Sequence, residues 1–409
     1  MSVSVILRRP MRLAIVGAIL QLLGSAALAQ PLVYVSNKHS ADVSVIDAAR
    51  NAVIATVAVG ESPSEIGVTP DGSFAYVANS GDHSNSVSII DTHKNAVRGT
   101  IPVGKAPLGV AITPDGKRAY VTNASANTVS VINVPSSAVA ATVAVGAQPS
   151  GVAITPSGDF AYVANSKNFN TPAAGNVSVI DTRTNKVVAT VAVGDNPFAI
   201  AITPNGRFAY VTNSNSLTIT GPGSVSVIDT STNSVAATIP VGTNPLGIAI
   251  TPDGRFAYVT NFTGNSVAII DTATNTVATS VAVGQGPLGI AITADGQFVY
   301  VANRQPFGQT TPGNVSVIDT ATRRVIATIP AGDNPTGVAI AEFSSGQCMG
   351  DCNGDGVVTV DELIRGVNIA LGTQAPSKCP AVDANGDGTV TVDELVAAVG
   401  AALNGCPRP

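Results

Sequence analysis

The sequence predicts an all-β fold, a seven-bladed β-propeller with four-stranded blades, followed by a small α loop–helix domain. Three observations carry that prediction. The tetrapeptide Tyr-Val-(Thr/Ser/Ala)-Asn begins at Tyr34, Tyr76, Tyr120, Tyr162, Tyr210, Tyr258 and Tyr300, at spacings of 42, 44, 42, 48, 48 and 42 residues. Each copy leads into a Val-Ser-Val-Ile-Asp-like run, a Val-Ala-Thr-(Val/Ile)-x-Val-Gly run and a Pro-x-Gly-(Val/Ile)-Ala-Ile run, so one period holds four short β segments. The composition agrees, because 40 Gly, 26 Pro and only 11% charged residues favour short strands and tight turns over helices. A lone blade cannot bury both faces of its sheet, whereas seven in a ring can.

Turn chemistry separates the strands. In Thr113-Pro-Asp-Gly116 and its counterparts, Pro presets φ, Asp caps the backbone and Gly supplies a positive φ. Asp47, Asp91, Asp181, Asp229, Asp271 and Asp319 recur at one strand end, with Asn133 in the third copy. Such repetition marks a structural turn cap and not a catalytic acid. Ring closure is legible at the ends of the array. The first repeat opens at Leu32 without a Pro-x-Gly run, and the last ends with that run, Pro335 to Phe343, and no tetrapeptide after it. Strand 337–343 is therefore expected to complete the blade begun by residues 32–60 and to remove two free edges.

These motifs resemble the YVTN family of seven-bladed propellers, known from microbial surface-layer and secreted proteins, over residues 31–343. The resemblance implies the fold; propellers host binding scaffolds, lyases, lactonases and oxidoreductases alike.

Residues 1–29 read as a secretory signal peptide: Arg8, Arg9 and Arg12, an apolar run from Leu13 to Leu23, and Ala27-Leu28-Ala29 before Gln30. Export would leave 18 bases against 26 acids. That balance argues against nucleic acid as a partner, and no other apolar run is long enough to make the chain membrane-spanning.

Strand direction sorts the loops into two faces. The Thr-Pro-Asp-Gly and Asp-Thr-x-Thr-Asn turns are short and nearly constant. The loops after the tetrapeptide vary, with 5 residues after Asn37, Asn123 and Asn261, 7 after Asn79, and 11 after Asn165, Asn213 and Asn303. Variable loops on a rigid scaffold make this the candidate interaction face. Phe169, Phe262 and Phe307 are its candidate aromatic anchors and Lys167 and Arg304 its polar ones. His39 and His83 fall in neighbouring loops of the same face, where with Asp82 they could meet a metal or a substrate. Residues following the loop prolines (Ser64, Leu108, Ser150, Phe198, Leu246, Leu288, Thr336) should rim the axial funnel. They are small or apolar, which favours binding over acid–base chemistry.

Beyond Phe343 the period-two pattern stops and residues 344–346 read as a linker. Residues 347–409 carry two twelve-residue loops, 32 residues apart, that place oxygen donors where Ca²⁺ needs them: Asp351, Asn353, Asp355, Val357, Thr359 and Glu362, then Asp383, Asn385, Asp387, Thr389, Thr391 and Glu394. Two Ca²⁺ ions are expected, with Val357 and Thr389 ligating through their carbonyls and Gly356 and Gly388 allowing the sharp turn. Amphipathic helices are expected over 361–371 and 393–403, with Leu363, Val367 and Leu371, and then Leu395, Val399 and Leu403, along one face. A loop–helix pair lacking entering helices resembles the dockerin type of calcium module, which implies a cohesin-like partner; position 12 is Glu in both loops, where dockerins commonly carry Asp. All four cysteines, Cys348, Cys352, Cys379 and Cys406, lie in this module and imply two disulfides in one of three pairings. A bond from Cys406 back to the start of the module is favoured.

The favoured function is an exported, non-enzymatic binding or surface scaffold recognising an extracellular or cell-surface protein or glycan, with the calcium module anchoring it. The competing class is a propeller enzyme of lyase or lactonase type with its site at the axial funnel.

Overall fold

The computed structural model describes residues 31–81, 85–166, 174–214, 222–304, 312–342, 349–352, 358–383 and 388–404. Residues 31–343 form one compact unit and residues 344–409 belong to a second. The proposed signal peptide lies outside the described residues.

The first unit is a seven-bladed propeller of antiparallel four-stranded sheets. Blade 1 holds Leu32–Asn37, Asp42–Asp47 and Ala52–Ala58, and its inner strand is Pro335–Ala341 from the far end of the array. The exchanged strand pairs Leu32 with Ala341, Val33 with Ile340 and Tyr34 with Ala339. The expected closure is therefore present, two residues earlier than the sequence placed it. Blades 2 to 7 run in chain order from inner strands Pro63–Val68, Pro107–Ile112, Pro149–Ile154, Pro197–Ile202, Pro245–Ile250 and Pro287–Ile292.

Apolar alternation builds the core between blades. Tyr76, Val87, Ile89 and Ile101 of blade 2 pack on Ala119, Val121 and Ile132 of blade 3, and equivalent clusters recur around the ring. The motif tyrosines are fully buried. Four of them reach across to the next blade's turn, where Tyr34, Tyr120, Tyr162 and Tyr210 donate to Asn95, Asn185, Asn233 and Asn275 at 2.7–3.1 Å. The strand-end acids cap as expected, Asp181 Oδ1 accepting the Arg183 and Thr184 amides.

Close approach at the axis explains the inner-strand glycines. A Cβ at Gly337 would stand 2.4 Å from the Ser64 carbonyl, and one at Gly247 would stand 2.1 Å from the Leu288 carbonyl. The three blades with eleven-residue loops also carry longer hairpins. Ala174–Asp181 with Lys186–Asp195, Pro222–Asp229 with Ser234–Thr243, and Pro312–Asp319 with Arg324–Asp333 are strands of 8 and 10 residues, against the 6- and 7-residue strands of blade 6.

In the second unit, helices α1 (Val360–Ala370) and α2 (Val392–Asn404) follow the two loops. Two single-turn 3₁₀ segments, Pro376–Lys378 and Pro380–Val382, occupy the stretch between α1 and the second loop. Cys352 and Cys379 form a disulfide; Cys348 and Cys406 lie outside the described residues. The helices turn a different face inward from the one the apolar pattern suggested. Glu362, Gly366 and Ile369, and Glu394 and Ala398, are buried, with Leu363 and Leu395 intermediate. Val360, Ile364, Val367 and Leu371, and the matching Val392, Val396, Val399 and Leu403, are exposed. The cause is the acid at position 12. It caps the helix and faces the loop, and the helix must turn with it. No helix among the described residues is long and apolar enough to cross a membrane.

Candidate functional site

The propeller axis holds a cavity of about 320 Å³. All seven residues that follow the loop prolines line it. Three positions recur in every blade near this wall; the second lines it in all seven blades, the first only through Lys38, Phe262 and Arg304, and the third in every blade but the first. After the motif Asn come Lys38, Ser80, Ala124, Ser166, Ser214, Phe262 and Arg304. After the loop Pro come Ser64, Leu108, Ser150, Phe198, Leu246, Leu288 and Thr336. One residue further in come Glu65, Gly109, Gly151, Ala199, Gly247, Gly289 and Gly337.

Several hydroxyls in these rings are structural. Thr122 Oγ1 donates to the Ser150 carbonyl at 2.6 Å, Thr212 Oγ1 to that of Leu246 at 2.7 Å and Thr260 Oγ1 to that of Leu288 at 2.9 Å, each bond tying one blade to the next; Ser36 makes the same bond to the Ser64 carbonyl. Where the tetrapeptide carries Ala78 or Ala164 instead, the inner strand supplies the hydroxyl, Ser64 to the Leu108 carbonyl at 2.9 Å and Ser150 to that of Phe198 at 2.8 Å. Ser64 and Ser150 are thereby engaged in holding the ring.

The charged groups at the wall break the sevenfold pattern. Glu65 stands where five blades have Gly and one has Ala, and Gly67 stands where the other blades have Ala. It is half-buried in the cavity wall, and burial pushes its carboxyl up to about 7. Lys38 and Arg304 lie on adjoining blades. Burial lowers both, and the charge of Arg304 lowers Lys38 further. Beside the charged groups, Leu246, Phe262 and Leu288 of blades 6 and 7 pack together with Phe198 at their edge. The cavity thus has one charged sector, from blades 7, 1 and 2, and one apolar sector, centred on blades 5 to 7. Sequence reasoning named Phe262 and Arg304 but passed over Lys38 and Glu65. The signal for Glu65 was available, since it is the one acid in a Pro-x-Gly position.

Of the other sequence candidates, His39 is exposed at the closure seam, its amide bonded to the Asp333 carbonyl and its ring 2.9 Å from Asn334 Nδ2. His83, Lys167, Phe169 and Phe307 lie outside the described residues, as do Asp82 and loop positions Asn353, Asp355, Val357, Asn385 and Asp387. Among the described residues no three His, Cys, Asp or Glu side chains cluster as a metal site.

The ends of both loops are described. Asp351, Glu362 and Glu394 are buried, at 7%, 3% and 7% exposure. Glu362 accepts the Cys352 amide on Oε1 at 2.9 Å, and the Thr359 amide and hydroxyl on Oε2 at 2.8 and 2.9 Å. Glu394 accepts the Thr391 amide and hydroxyl at 2.8 and 2.9 Å. Asp383 Oδ2 accepts the Gly388 amide at 2.9 Å, and Gly388 takes a left-handed φ of 83°. Carboxylate oxygens at positions 1 and 12 of each loop, buried at Asp351, Glu362 and Glu394, suit a Ca²⁺ ion.

Known structures share the propeller fold. Hydrazine synthase from Kuenenia stuttgartiensis is similar over 69% of this chain and 93% of its own, at 24% identity and a TM-score of 0.59. The dihydro-heme d1 dehydrogenase NirN, solved in complex with DHE, is similar over 75% and 74%, at 15% identity and 0.55. A functionally unknown protein from Desulfotomaculum acetoxidans DSM 771 matches over 76% and 99%, at 17% identity and 0.61. These identities speak for fold alone. No curated protein matches the chain. An EF-hand family model matches residues 381–399, covering the second loop and much of α2. The YNCE-like beta-propeller model matches residues 14–345, most of the chain and every blade, and the chain therefore belongs to the YNCE-like β-propeller family.

Proposed function

We propose that the chain is an exported binding protein: the propeller holds a ligand at its axial cavity and variable-loop face, and the C-terminal module binds two Ca²⁺ ions and docks the protein to a cell-surface protein or glycan. The observation that carries the reading is the cavity wall. Apolar and small residues make up nearly all of it, with Glu65 the single carboxylate among the lining residues. Acid–base catalysis needs a positioned pair or a nucleophile with its base, whereas a binding pocket needs an apolar wall with few polar groups.

Asp351, Thr359 and Glu362 would hold one ion and Asp383, Thr389, Thr391 and Glu394 the other, with Asn353, Asp355, Val357, Asn385 and Asp387 completing the sets. Bound Ca²⁺ would neutralise acids that otherwise repel and would tie each loop to its helix. The exposed apolar stripes of α1 and α2 support a docking role, in the manner of dockerin-like modules and a cohesin-like partner.

Native mass spectrometry of the chain purified from its natural source tests the reading. The expected species begins at Gln30 and carries two calcium ions that a chelator removes, together with a chemically unchanged small ligand. A chain that keeps residues 1–29, binds no calcium, or converts the molecule it carries would overturn the proposal.

A further inference from the structure

The axial cavity is amphipathic in a particular sense. Its apolar sector is a packed patch of Leu246, Phe262 and Leu288. Its charged sector brings two cations together at positions where three of the other five blades have Ser, one has Ala and one has Phe262. Lys38 and Arg304 are both half-buried in the wall and close enough to repel. Lys38 has no carboxylate within ion-pair distance among the described residues, because the ion pairs there lie in the turns at Asp47, Asp91 and Asp181. Two like charges side by side in a partly desolvated wall make that part of the cavity electropositive and favour an anionic ligand there. The third charged lining group is Glu65. Burial raises its carboxyl.

Resting on the binding function above, we propose that this cavity takes an amphipathic anion, with its apolar body against Leu246, Phe262 and Leu288 and its carboxylate, sulfonate or phosphate head between Lys38 and Arg304. Guanidinium and ammonium together suit such a head, the first by its planar fork and the second as a point charge. Raised to about 7, the Glu65 carboxyl is only partly ionised near neutral pH, and even fully ionised it leaves one net positive charge among the three groups.

Calorimetric titration of the full chain with decanoate, decylammonium and decanol, each below its micellar concentration at pH 6.5, tests this. Decanoate is expected to bind at least about tenfold more tightly than decanol, and decylammonium more weakly than either. Lys38→Met and Arg304→Gln should each cost decanoate about tenfold and leave decanol unchanged, which also shows that the variants are folded. If decanol or decylammonium matches decanoate, or if both variants keep full decanoate affinity, the anion-headed ligand is wrong and the binding function stands. If none of the three binds, both fail.

Discussion

At the scale of single residues, the repeat is most informative where it is broken. The hydroxyl that ties neighbouring blades moves between two positions, so Ala78 and Ala164 are matched by Ser64 and Ser150. Blade 7 has Ala302 and Leu288 at these positions, and no such hydroxyl meets blade 1 there. Ala302→Thr should therefore stabilise the seam by about 1 kcal/mol, and Thr260→Val should cost about 1–2 kcal/mol, both read from the urea midpoint. Glu65 is the other break. The folded chain holds its proton up to about pH 7, against 4.5 for an ordinary Glu. Folding thus takes up a proton between those values, and stability falls as pH rises from 4.5 to 7, by at most about 3 kcal/mol. Glu65→Gln should flatten that part of the stability–pH curve; an unchanged slope would mean that the acid is solvated. The sequence spelled out Glu65 as a departure from Pro-x-Gly, yet its meaning needed the axis. Only there do the backbones come within reach and make a side chain at that position exceptional.

At the scale of elements, closure and calcium loops both follow from fragments that are incomplete alone. The exchanged strand was legible because the first and last repeats lack complementary pieces. Gly337→Ala should strain it against the Ser64 carbonyl and destabilise the ring by more than about 1 kcal/mol in thermal unfolding. In the second unit, helix positions were legible to within a residue but the buried face was not. Periodicity marks an apolar stripe without saying whether it faces the domain or a partner, and the buried Glu362 and Glu394 decide the matter. Glu394→Gln should lower the calcium stoichiometry by one ion in calorimetric titration of the full chain. The Cys352–Cys379 disulfide leaves Cys348 and Cys406 as the remaining pair. Peptide mapping without reduction should recover them joined, as the sequence favoured, and free thiols at both positions would exclude that bond.

At the scale of the whole molecule, a nearly sevenfold ring carries its chemistry where symmetry fails. The repeats made the architecture legible because every blade restates the same alternation and turns. The candidate site was only half legible, since Phe262, Arg304 and Lys38 follow strands of three different blades and share one wall only in the closed ring. The central claim is that the axis, and not some other surface, receives the ligand. The chain contains no Trp, so a single introduced indole is an unambiguous reporter. Phe262→Trp places it in the cavity wall, and His93→Trp places it in an exposed turn on the opposite face. Titrating both variants with decanoate should give a saturable change in fluorescence for the first and none for the second. No change at position 262, or equal changes at both, would contradict an axial site.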